Sequence, residues 1–138
     1  MRALGAQLFQ ANEHEVVGAE SWGLDLDWPR YEAIEREGVT LILAAWSGST
    51  LGGYSVNVLG PHLHYRTRLC CANDVLYLAP EQRHGAACAK LMDATEQTAR
   101  DKGCVRMEWP APTGSRLERI LQLGHTYRAL QTTYAREL

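Results

Sequence analysis

In Leu76-Tyr77-Leu78-Ala79-Pro80-Glu81-Gln82-Arg83-His84-Gly85-Ala86-Ala87-Cys88 an apolar strand end runs through a short loop into a helix that opens on small residues. The first N–H groups of a helix have no partner within it, and the helix dipole adds positive potential at that end. Glycine and alanine let an anion approach the backbone closely, so the stretch predicts a phosphate cradle, with Arg83 and His84 as added donors. The same small residues also suit close packing of helix on strand, and spacing alone leaves both readings open. No G-K-[ST] follows, and no G-x-G-x-x-G is present, which separates the segment from a Walker loop and from a dinucleotide fingerprint.

Outward from this stretch, the helix is expected over residues 85–102, with an apolar stripe of Ala87, Cys88, Leu91, Met92, Ala94, Thr95 and Ala99, and Gly103 behind it. Residues 104–109 follow as a strand, and a strand–helix–strand unit in one sheet predicts a right-handed parallel crossover. Upstream, residues 39–46, 51–59 and 69–78 read as three strands of an antiparallel meander. Ser47-Gly48-Ser49 forms the first turn, and residues 61–68 a polar connection. In the second strand Tyr54, Val56 and Val58 alternate. Before them, Asp27 as cap, Pro29 in the first turn and Gly38 as stop mark a helix, and residues 3–17 read as another. Ser115-Arg116-Leu117-Glu118 is a capping box for a last helix that ends at Gly124, and residues 127–138 read as one or two closing strands. The expected class is α+β, a mixed sheet with helices on both faces.

A chain of 138 residues, 46% hydrophobic and 22% charged, is expected to form one domain over residues 1–138 with its own core. A net charge of −2 gives no basic footprint, which argues against nucleic acid and anionic membranes as partners. The apolar run 39–46 has strand length, too short to cross a bilayer, and no signal peptide is evident. Cys70, Cys71, Cys88 and Cys104 form no CxxC pair and no zinc spacing; reduced thiols and a cytoplasmic protein are the expectation.

Gln82-Arg83-His84-Gly85-Ala86-Ala87 resembles the Q/R-x-x-G-x-G/A signature of the GNAT N-acetyltransferases, and the element order around it is similar to theirs over residues 13–138. Pro61-His62-Leu63-His64-Tyr65-Arg66 and Asp74-Val75-Leu76-Tyr77-Leu78-Ala79-Pro80-Glu81 further resemble a phage-type subgroup. The resemblance implies an acyl-CoA N-acyltransferase-like fold and an acetyl-CoA-dependent transfer to an amine acceptor. It places the pyrophosphate on the amides of Arg83, His84, Gly85, Ala86, Ala87 and Cys88, after Gln82, and the pantetheine arm along the backbone of Leu76, Tyr77 and Leu78. It also implies a bulge that splays the signature strand from its parallel neighbour, and a homodimer.

Direct attack needs amine and thioester held together, a donor for the oxyanion and an acceptor for the amine proton. Asp74 is the first candidate base, on the face of Leu76 and Leu78 if strand alternation is unbroken, and Glu108 is the second. Asp74 also suits a strand-start cap or a salt-bridge partner, and Glu108 an ordinary solvent-facing strand position. Relatives carry the acid tyrosine in the last helix, where this chain has Ile120; Tyr127 and Tyr134 are the substitutes. Cys88, in the first helical turn, suits a covalent route or the core. Trp28 and Tyr31 fall where the family shapes its acceptor pocket, and beside Asp25 and Asp27 they suit a cationic amine or a capped helix start. His62 and His64 share a strand face but find no third ligand, so His64 is expected at the substrate mouth, and no metal is expected. A non-catalytic acyl-CoA-binding module is the alternative, and a nucleotide binder the third reading.

Overall fold

The computed structural model describes Asn12, residues 25–123 and residues 126–134. The helix expected over residues 3–17 lies, apart from Asn12, outside the described residues. Helix α1 spans Trp28–Arg36, and its first turn is fixed by the Arg30 N–H donating to Asp27 Oδ1 at 3.0 Å. Gly38, at φ +73°, ends it in the left-handed region that glycine enters without steric cost. Strands β1 (Thr40–Ser47), β2 (Thr50–His62) and β3 (Tyr65–Leu78) follow as an antiparallel meander. A 3-10 turn at Pro80–Gln82 leads to helix α2 (Ala87–Asp101), strand β4 (Cys104–Glu108) and helix α3 (Arg116–Gln122). The four strands form one sheet in the order β1-β2-β3-β4, and β3 and β4 are parallel, as the crossover requires.

Both faces of the sheet are covered. Tyr54, Val56, Tyr77 and Ala79 are buried on one face, against Trp28 and Tyr31 of α1. Leu41, Leu59 and Cys71 are buried on the other with Ala99 of α2. Burial of a side chain such as Val56 or Leu59 contributes about 1.5–3 kcal/mol. From α2, the stripe residues Leu91, Met92, Thr95 and Ala99 are buried, while Ala94 faces solvent.

Several expectations need correction. The connection over residues 61–68 is mostly strand: His62 pairs with Tyr65, so β2 and β3 are joined by a tight turn at Leu63 and His64. Their ladder is made by backbone groups, which polar residues supply as well as apolar ones. Ser55 and Asn57 are fully buried while Val58 is 48% exposed, the reverse of what alternation with one apolar face predicts. Helix α2 begins at Ala87, because Gly85 holds φ +57° and cannot be helical. Residues 127–134 carry no strand; Leu130 and Tyr134 are exposed, so this segment has no buried face to fix a register.

The register of β2 on β3 slips by one residue. Val56 pairs with Val75, but Asn57 pairs with Asn73, so Asp74 is an extra residue on β3. This is a β-bulge, and alternation breaks there. Asp74 therefore does not share a face with Leu76 and Leu78.

Candidate functional site

The parallel pairing of β3 with β4 stops at Ala72↔Glu108. Beyond it β4 gives way to Trp109 and Pro110, and β3 continues through residues 73–78 without β4 beside it. On the opposite edge the Ala79 N–H donates to Gly52 O at 2.8 Å. Polar groups alternate in direction along a strand, so those of Tyr77 turn toward β2, and those of Leu76 and Leu78 turn toward the opening. One of them is taken: Arg83 Nε donates to Leu78 O at 2.6 Å, with the guanidinium 5.5 Å from the Tyr77 ring centre. Leu76 N–H, Leu76 O and Leu78 N–H remain directed at the opening.

Helix α2 starts directly beyond this edge. Its N-cap is Ala86, and no side chain caps it, whereas Asp27 caps α1 and Ser115 caps α3. Helix α3 has its expected cap, the Glu118 N–H donating to Ser115 Oγ at 3.1 Å, although Glu118 Oε2 accepts from Gly114 N–H rather than from the cap residue. The first amides of α2 thus face outward beside His84, Gly85 and Ala86, all exposed. Gln82 packs against Gly52, where an added Cβ would stand 2.8 Å from Gln82 Cγ. Cys88 sits inside the first turn with Sγ 3.9 Å from Met92 Sδ; burial raises its thiol, and nearby Arg116 only partly offsets this. A raised thiol is a poor nucleophile.

The remaining sequence-selected residues, Tyr134 apart, fall into two groups. Asp74 is exposed at the bulge beside the aromatic cluster of Trp28, Tyr31, Tyr54 and Tyr77. Burial raises Tyr31, and the Asp74 carboxylate raises it further. Tyr54 is pushed far above the usual tyrosine range by burial, then by Tyr77, Tyr31 and Asp74. The ring centres of Trp28 and Tyr31 are 6.1 Å apart, and those of Tyr54 and Tyr77 are 5.8 Å apart. The second group lines a cavity of about 1260 Å³ between the outer halves of β2, β3 and β4, helix α3 and residues 126–131: His64, Glu108 and Tyr127. Glu108 pairs with Arg106 at 3.4 Å. Tyr134 is 90% exposed and belongs to neither group. His62 Nδ1 accepts from His64 N–H at 3.2 Å, and among the described residues no three His, Cys, Asp or Glu side chains gather to hold a metal ion.

Sequence reading missed Glu96. Its Oε1 accepts from Tyr127 OH at 2.8 Å and from Trp109 Nε1 at 3.0 Å, joining α2, the end of β4 and the C-terminal segment. Burial first, then the bond to Glu96, holds the Tyr127 phenol well above its usual range. The available signal was helical spacing, since Glu96 lies four residues after the buried Met92.

No family model matches the chain, and no curated protein matches it. Solved structures do. An aminoglycoside acetyltransferase from an uncultured soil metagenomic sample, in complex with trehalose, superposes with a TM-score of 0.75 at 14% identity, over 96% of this chain and 84% of that one. The ribosomal-protein-alanine N-acetyltransferase of Brucella melitensis biovar Abortus 2308 gives 0.71 at 16% identity, over 97% of this chain and 90% of that one. An acetyltransferase of Trypanosoma brucei gives 0.67 at 16% identity, over 92% of each chain. At such identities the likeness is one of fold: the chain has the GNAT acyl-CoA N-acyltransferase fold.

Proposed function

We propose that this chain is an acetyl-CoA-dependent N-acetyltransferase of the GNAT family, moving an acetyl group to an amine by direct attack. The observation that carries the reading is the open edge of β3 beside the uncapped start of α2. Those two features suit a ligand with amides along one arm and phosphates at its end. The amides of residues 83–88, following Gln82, would hold the pyrophosphate. Leu76 and Leu78 would pair with the arm as an added strand does. The substrate brings an acyl group already activated as a thioester.

The chain's own residues have distinct tasks. Asp74, exposed beside Trp28 and Tyr31, takes the proton that the attacking amine must lose. The aromatic cluster with a carboxylate at its rim suits a cationic acceptor. The Leu78 N–H is directed at the opening, where it can stabilise a developing oxyanion. The new N–C bond forms as the C–S bond breaks, and the departing thiolate takes its proton from Tyr127 or from the exposed Tyr134. Glu108, at the last β3–β4 pair, is the second candidate base, and His64 lines the cavity mouth.

The phage-type grouping rests on the two sequence segments alone, and the names of the structural neighbours do not carry it. A cytoplasmic location, which rests on the cysteine usage, and a homodimer, which rests on the resemblance, belong to the same proposal; among the described residues, no helix is long and apolar enough to cross a membrane. A second reading, an acyl-CoA-binding module without turnover, is favoured by Ile120, which stands where relatives carry a tyrosine.

Thermal unfolding with acetyl-CoA, CoA and ATP tests the proposal, followed by thiol release with a panel of amines. A ligand at about 100 times its Kd stabilises by about 2.7 kcal/mol, which raises the midpoint by about 5–15 °C. The expected result is a rise with acetyl-CoA and CoA, none with ATP, loss of the rise in Gly85→Trp, and thiol release with at least one amine. Binding without release would favour the module. No rise with either CoA compound would reduce the likeness to fold alone.

A further inference from the structure

Three polar side chains are buried where the sheet would ordinarily hold apolar ones: Ser55 and Asn57 at 0% and Asn73 at 6% exposure. They form one network. Asn57 Nδ2 donates to Leu41 O at 2.9 Å and to Ser55 Oγ at 3.0 Å, and Ser55 Oγ donates to Asn57 Oδ1 at 3.2 Å. Asn73 Nδ2 lies within donor reach of Asn57 Oδ1 at 2.9 Å and Ser55 Oγ at 3.3 Å. It also reaches two backbone carbonyls, Val56 O at 3.1 Å and Val75 O at 2.9 Å.

Those two carbonyls flank the bulge. Val56 is the last β2 residue paired before the slip, and Val75 is its partner beyond the extra residue Asp74. A bulge leaves the ladder locally disrupted, and a buried carbonyl without a donor is costly. The two hydrogens of the Asn73 amide are shared among four acceptors, with Val56 O and Val75 O two of them. The other two members hold the Asn73 amide in place, and Asn57 ties the group back to β1 through Leu41 O. A valine or leucine at position 73 would bury as well but could donate to neither carbonyl.

We propose that the Ser55–Asn57–Asn73 network is a clamp on the Asp74 bulge, and that Asn73 is thereby the positioning residue for the open edge at Leu76 and Leu78. The half of this that concerns ligand rests on the acyl-CoA reading above; the half that concerns the bulge does not. Asn73 touches no reacting atom. It acts by holding β3 at the twist that keeps residues 73–78 away from β4.

The test separates the two halves. Cross-strand proton contacts in the ligand-free protein report the register: wild type pairs Val56 with Val75 and Asn57 with Asn73. In Asn73→Ala the expected result is that these contacts move or broaden at positions 73–76 while those at 58–61 stay. An unchanged register would overturn the clamp whatever the ligand does. Affinity for CoA, measured by calorimetry well below the unfolding midpoint, is expected to weaken about tenfold or more in Asn73→Ala. Leu59→Ala, which opens the same core layer without touching the network, is expected to bind as wild type. A displaced register with unchanged affinity would overturn the positioning role. Deletion of Asp74 is the second variant, since it removes the extra residue and lets the ladder close with every other side chain on its present face. It is expected to fold with an unlowered midpoint and to lose CoA affinity; retained affinity would likewise overturn the proposal. If wild type itself does not bind CoA, the acyl-CoA reading and the positioning role fall together, and the register of Asn73→Ala alone decides the clamp.

Discussion

Gly53→Ala should destabilise the protein, although glycine-to-alanine changes in strands usually do the opposite. Gly53 faces Leu78 across the β2–β3 ladder. A Cβ at position 53 would lie 2.5 Å from Leu78 Cδ2 and 2.6 Å from Tyr77 O. Carbon atoms in contact normally stand about 3.5–4.0 Å apart, so the methyl group is about 1 Å too close. The Leu78 side chain can turn, but the Tyr77 carbonyl is backbone, so the two strands must separate. Overpacking of this kind costs about 1–3 kcal/mol. At about 4 °C per kcal/mol, the midpoint should fall by about 4–12 °C. Gly60→Ala is the internal comparison, because its added Cβ meets nothing within 4 Å. There the removal of glycine's chain entropy should leave the midpoint unchanged or raise it, by about 0.5–1 kcal/mol of stability. Thermal unfolding followed by far-UV circular dichroism reads both. The reasoning fails if Gly53→Ala melts at or above wild type, for then β3 does not lie as close to β2 as the register requires.

Three further outcomes are expected. Asp74→Asn should lower kcat and flatten the acidic limb of the pH–rate profile; it should also bring Tyr31 down toward its ordinary value while burial keeps it raised, and an unaltered profile would remove Asp74 from the mechanism. The Tyr127 phenol is raised in the folded state, so the stability it lends is complete below the unfolded value of about 10 and is lost as pH climbs from there through the higher folded value. Wild type should therefore lose midpoint above about pH 10 more steeply than Tyr127→Phe, and equal slopes would show that the bond to Glu96 is not retained. Cys71 is fully buried, and burial, with Cys104 and Cys70 nearby, pushes its thiol up to about 11; in the native protein it should alkylate far more slowly than in the unfolded chain, and equal rates by peptide mapping would contradict its place in the core.

Much of the fold was legible because its signals are local. Asp27 and Ser115 cap the helices where the sequence places them, and Gly38 and Gly103 take up the left-handed conformations expected at helix ends. The strand–helix–strand order sets the parallel pairing through chain handedness alone. What escaped reading is non-local. A bulge is one extra residue; the resemblance implied one on this strand, but nothing in Asn73-Asp74-Val75 marks its position until β2 is laid beside it. The burial of Ser55 and Asn57 escaped the alternation of Tyr54, Val56 and Val58, because alternation says which residues share a side, not which sides are covered. The long hairpin through residues 61–66 was hidden for the same reason, since backbone pairing leaves no mark on polar side chains. Of the site, the uncapped helix start could be read from Gly85-Ala86-Ala87, whereas the two separate groupings around Asp74 and around Glu108 depend on where the sheet opens.

The opening and the helix start constrain the ligand together more tightly than either does alone. Helix amides by themselves accept any phosphate, including that of a nucleotide. The β3 edge asks for something else. Leu76 and Leu78 lie two residues apart, about 6.6–6.8 Å along a strand, and pair only with a chain that carries its own amide groups. A nucleotide has none, whereas the pantetheine arm of CoA has two, in line with its phosphates. The Arg83 bond to Leu78 O removes one acceptor from that edge and leaves Leu76 N–H, Leu76 O and Leu78 N–H to form the pairing. 3′-Phosphoadenosine 5′-diphosphate, which carries the nucleotide and pyrophosphate of CoA without the arm, should accordingly bind about tenfold or more weakly than CoA. Equal affinities in calorimetry would mean that the edge takes no part, and the phosphate site would then be all that the open strand and the uncapped helix share.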